Sequence, residues 1–61
     1  MDAHDKMKAG HLVKITAKRI NHYGEAGTII TVSEVPGALY VYFGGINRTL
    51  LVHKNNLKRI A

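Results

Sequence analysis

A chain of sixty-one residues without one cysteine must hold itself together by packing alone, and nothing else constrains it as tightly. A disulfide scaffold, an iron–sulfur cluster and a thiolate zinc site are all excluded. At about 25 cal/mol per Å² of buried apolar surface, set against about 1.5 kcal/mol of ordering entropy per residue, so short a chain comes out near balance. It is expected to use its apolar residues efficiently, and weak self-association or a partner would help. One small domain fits and a multidomain enzyme does not. With 46% hydrophobic residues and a single proline the chain is not a disordered tail. No apolar run approaches the ~20 residues of a membrane span. Its polar start lacks the apolar core of a signal peptide, so no membrane association and a cytoplasmic location are expected.

The charge is unevenly placed. Residues Met1 to Ala9 balance Asp2 and Asp5 against Lys6 and Lys8, while Gly10 onward sets seven Lys and Arg against Glu25 and Glu34. The whole excess of +5 therefore belongs to the part expected to fold. A basic folded surface presents charge at fixed spacing, which a loose arm does not, although net charge also serves plain solubility.

Alternation marks the strands. Residues 1–9 show no clean period and are expected to form a flexible leader to a domain at 10–61. Val13 and Ile15 share one face of a first strand, with Lys14 and Thr16 on the other. A polar loop follows, then the β-branched run Gly27 to Val32, whose adjacent Ile29 and Ile30 predict a bulge. Val35-Pro36-Gly37-Ala38 has the residues of a type II turn. Leu39, Val41 and Phe43 then alternate with Tyr40 and Tyr42. After a Gly44-Gly45-Ile46-Asn47 turn come a fourth strand (Arg48 to His53), a 3₁₀ turn near Lys54 to Leu57, and a last strand at Lys58 to Ile60. An all-β, five-stranded sheet rolled into a small barrel is the economical solution, since it shares one core and leaves few edges. Its expected core is Val13, Ile15, Ile20, Ile29, Val32, Val41, Phe43, Leu51, Leu57 and Ile60.

This order of elements resembles the SH3-like small barrels. Within it, Val13-x-Ile15, the loop, and Gly24-Glu25-Ala26-Gly27-Thr28-Ile29-Ile30-Thr31-Val32 resemble a KOW-type motif. The resemblance spans roughly Gly10 to Ile60. It implies binding of RNA or of polymerase, as in ribosomal proteins and transcription elongation factors. Similar barrels also serve as small subunits in photosynthetic electron transport, as protein-docking modules, and as one plasmid-borne dihydrofolate reductase. That reductase carries a Val-Gln-Ile-Tyr run where this chain has Thr49-Leu50-Leu51-Val52-His53, so the enzyme reading fails on its own motif.

The residues offer binding chemistry more than catalysis. Tyr40 and Tyr42, at i and i+2 on one strand, make a platform on which bases can stack while nearby cations neutralise phosphates. Their plainer role is to pair across strands and cover sheet. Arg48, and Lys18 with Arg19 in the first loop, are the candidate cations, and His22 and Tyr23 the polar and stacking groups beside them. Lys54, with Lys58 and Arg59, extends the basic surface or simply guards an edge strand. His4, His11, His22 and His53 lack any metal-ligand spacing, so no metal or other cofactor is expected. No nucleophile has a base patterned around it. Expected function is a non-catalytic barrel that binds RNA or single-stranded DNA, in a transcription or ribonucleoprotein complex. The alternative is an accessory module docking its basic face on an acidic protein, such as a ferredoxin-like partner.

Overall fold

The computed structural model describes residues 7–61; the expectations for the start of the leader and for His4 lie outside that range. Five strands form one antiparallel sheet: β1 (Leu12–Ile15), β2 (Ala26–Val32), β3 (Ala38–Phe43), β4 (Arg48–His53) and β5 (Leu57–Arg59). A 3₁₀ turn, Lys54–Asn56, joins the last two. Strand order across the sheet is β4-β3-β2-β1-β5, so β4 and β5 are consecutive in sequence yet sit at opposite edges.

That topology forces curvature. Four inter-strand spacings of about 4.8 Å would hold the edges of a flat sheet about 19 Å apart. The chain from His53 to Leu57 reaches at most about 14 Å even if fully extended, and a 3₁₀ turn rises only about 2 Å per residue. The sheet therefore rolls until its edges approach. No backbone ladder joins β4 to β5, so the sheet is all-β and five-stranded as expected but is not closed into a barrel by hydrogen bonds. Backbone bonds fasten the link instead: Thr16 N–H donates to the Asn56 carbonyl at 2.9 Å and Lys54 N–H to that of Gly37 at 2.8 Å.

Inside the roll, Val13, Ile15, Val41 and Phe43 are fully buried, with Ile29, Leu39, Val52 and Leu57 completing the cluster. All five strands contribute, as a single shared core requires. Ile20, Ile46 and Leu50 pack on its margin, and so does Met7, which brings packing ahead of Gly10 into the expected leader. The Pro36-Gly37 turn forms as its residues dictate, with Gly37 at φ +80° and Ala38 N–H donating to the Val35 carbonyl. The expected bulge is present too: the β2–β3 register shifts between Ile29 and Thr31.

Three expected core residues lie outside. Leu51 is 50% exposed, because Val52 opposite Leu39 and Leu50 opposite Val41 fix β4 in the register that turns Leu51 outward. Ile60 is exposed because β5 begins at Leu57, one position earlier than expected, so alternation gives Ile60 the outer face of Lys58. Val32 is 62% exposed: β2 runs on past its pairing with β1, and its end is covered on β3 alone.

Gly27 is the tightest point of the roll. A Cβ there would stand 2.6 Å from the Tyr42 carbonyl oxygen and 2.8 Å from both the Phe43 ring and Val41 Cγ1. A backbone oxygen cannot rotate away, so β2 and β3 approach this closely only because position 27 has no side chain. Gly27→Ala is expected to lower stability by about 2–3 kcal/mol through overpacking. In thermal unfolding that is a fall of about 10 °C or more for a domain this small.

Candidate nucleic-acid interface

Two same-face rows cross the outer surface of β2, β3 and β4. One runs Thr31–Tyr40–Leu51, the other Thr28–Tyr42–Thr49. Tyr40 and Tyr42 are 42% and 38% exposed, so each presents much of its ring to solvent while its base packs on neighbours. The Tyr42 hydroxyl donates to Asn47 Oδ1 at 2.6 Å, and the ring lies 3.8 Å from where a Gly44 side chain would begin. Asn47 itself takes the left-handed conformation, φ +54°, that the β3–β4 turn needs. The turn thus fixes the Tyr42 ring, and a fixed ring loses little entropy when something stacks on it. These rows carry no charged residue.

The first loop stands on the β4 side of these rows. Ile15 N–H donates to the Glu25 carbonyl and Gly24 N–H to that of Ile15, closing the β1–β2 hairpin around residues 16–24. Lys18, Arg19, His22 and Tyr23 are all exposed on it. His22 has φ +69°, a left-handed conformation His tolerates better than most side chains. Arg19 Nη2 donates to Asn56 Oδ1 at 3.4 Å, tethering the loop to the 3₁₀ turn. Between loop and β4 lies an open groove of about 380 Å³, with Ile20 and Leu50 as apolar lining and Asn21, His22, His53 and Asn56 as polar lining. Leu51 borders this groove and also stands beside Tyr40. It therefore joins the tyrosine rows to the loop cluster, a role hidden in the sequence by the unbroken Leu50-Leu51-Val52 run.

Two candidate cations fall elsewhere. Arg48 is opposite Phe43, on the other pleat from Tyr42, and so is not the cation that flanks the tyrosines. Lys54 borders a smaller groove of about 190 Å³ with Val32, Ser33, Val35 and Gly37. His53 holds its place by accepting the Asn55 N–H on Nδ1 at 3.1 Å, with its ring packed over Gly37. Among the described residues no three His, Asp or Glu side chains gather as metal ligands would, and no helix is long and apolar enough to cross a membrane.

One histidine is electrostatically perturbed. His11, half-buried at the start of β1, has its pKa lowered by desolvation first, then by the positive charges of Arg59 and Lys8. The Lys8 N–H donates to its Nδ1 at 3.2 Å, a bond only an unprotonated Nδ1 can accept.

No protein-family model matches the sequence, and no curated protein matches it.

Because the folded chain holds neutral His11 more firmly than the unfolded chain does, its contribution is intact above the ordinary value of 6.5. Acidification removes it as the unfolded state takes up the proton first. Thermal midpoints measured from pH 7.5 to pH 5 are expected to fall, and His11→Gln to make that fall shallower.

Proposed function

We propose that this chain is a non-catalytic binding domain for single-stranded nucleic acid, RNA or DNA, of the SH3-like type that its order of elements resembles. The observation that carries this reading is the pair Tyr40 and Tyr42, half-exposed on one strand, with the Tyr42 ring held by Asn47. Aromatic rings at i and i+2 stand about 7 Å apart and accept successive unstacked bases with little regard to sequence. Leu51 continues the platform towards the loop, where Lys18 and Arg19 supply positive charge and His22 and Tyr23 supply polar and stacking edges. The formal charge of +5 favours a polyanionic partner over long range.

Fluorescence anisotropy with labelled twelve-nucleotide RNA and DNA strands at low salt tests this. Binding is expected, and the Tyr40→Ala, Tyr42→Ala double variant should weaken it by about 30-fold or more, since each stacked base is worth about 1–3 kcal/mol. Both side chains point away from the core, so the variant's fold can be checked separately by its thermal midpoint. No binding by the parent chain, or equal binding by a folded double variant, defeats the reading. Co-purified partners that survive nuclease treatment would favour an acidic protein instead.

A further inference from the structure

The β1–β5 register sets Lys14 directly opposite Lys58, with Val13 opposite Arg59 and Ile15 opposite Leu57 on either side. Val13 and Ile15 are buried, so Lys14 and Lys58 point together to the outer face, and both are exposed. Like charges in directly opposed positions destabilise an antiparallel pair. Among the described residues no acidic side chain is placed to relieve them. Across β1's other edge, Lys14 faces Ala26. Of the two acids among the described residues, Glu25 shares the face of Ile15 and lies against Gly45, and Glu34 is in the β2–β3 turn.

We propose that Lys14 and Lys58 form a phosphate-binding pair that holds the sugar–phosphate backbone of a single-stranded nucleic acid. This rests on the nucleic-acid reading above and adds to it the surface that takes the charge. Leu12, Thr28 and Tyr42 occupy one row of the same outer face, and Lys14 lies one same-face row from Leu12. Two strand spacings and one row separate Lys14 from Tyr42, about 12 Å along the sheet. A strand whose base stacks on Tyr42 can therefore lay its neighbouring phosphates over the lysine pair. Compact ammonium groups suit phosphate oxygens as point charges, and two held side by side concentrate positive potential where a single lysine would not. The uncharged tyrosine rows thus take bases, and the lysine pair takes phosphates. An acidic polypeptide matches the charge but does not repeat a flat ring beside every negative charge, as a nucleic-acid strand does.

The trade between stability and binding tests the pair. Lys58→Glu turns the opposed like charges into an opposed ion pair, and the thermal midpoint is expected to rise by about 2–5 °C. The Lys14→Thr, Lys58→Thr double variant should remain folded and bind labelled oligo(dT) roughly 10- to 100-fold more weakly at 50 mM salt. Its plot of log affinity against log salt should flatten by about 1.4, the share of two phosphates on a single strand. Unchanged affinity and slope in the double variant, with the parent still binding and still sensitive to Tyr40→Ala and Tyr42→Ala, overturn the lysine pair alone. No binding by the parent overturns the nucleic-acid reading with it. Polyglutamate binding as tightly as oligo(dT), and equally weakened in the double variant, assigns the pair to an acidic polypeptide and overturns the phosphate assignment.

Discussion

Three residues connecting the two edges of a five-stranded sheet decide most of this molecule. Lys54–Asn56 is too short to cross a flat sheet, so β4 and β5 are drawn round towards each other and their buried residues, Val52 and Leu57, enter one core. With so small a chain this is the thermodynamic solution as well as the geometric one. Each strand supplies only one to four buried side chains, and only a rolled sheet lets them all meet. The roll in turn needs Gly27, because β2 must pass close over the Tyr42 carbonyl and the Phe43 ring.

Curvature also separates chemistry by face. The concave side takes Val13, Ile15, Val41 and Phe43, and the convex side is left with Lys14, Thr28, Tyr40 and Tyr42. An outward-facing tyrosine on a twisted, rolled sheet stands away from its neighbours and offers a ring edge and face that a flat sheet would shield. Asn47 then restrains one of those rings from below. The polar loop, tied to Asn56 by Arg19 and by the Thr16 amide, is held against β4 and does not project freely. Rigid aromatic positions and a restrained basic loop are what a small binding surface needs to hold a flexible ligand without a large ordering penalty.

Local signals in the sequence were strong where a single residue type forces the backbone. Pro36-Gly37 specified its turn, the paired isoleucines marked the bulge, and Leu39-Tyr40-Val41-Tyr42-Phe43 revealed both faces of β3. Leu50-Leu51-Val52 carries no alternation, so which residue turns inward is settled by pairing with β3, a non-local fact. Ile60 failed for a related reason: a one-residue change in where β5 starts exchanges its faces. Arg48 was legible as a cation on the strand beside Tyr42, but only the register shows it opposite Phe43. The apposition of Lys14 and Lys58 was the least legible, for these residues belong to opposite ends of the domain and meet only through β1 and β5.

That long-range pairing carries a kinetic consequence. β1 to β4 form a meander in which every strand pairs with its successor, across connections far shorter than the span from β1 to β5. The β1–β5 ladder must instead gather residues roughly forty positions apart, at an entropic cost that grows with the logarithm of loop length. Docking of the last strand is thus the step that completes the domain, covering Val13 and Ile15 and bringing the second lysine beside the first. A nascent chain still lacking β5 presents one lysine and an unfinished core. The doubled charge therefore appears only with the finished fold.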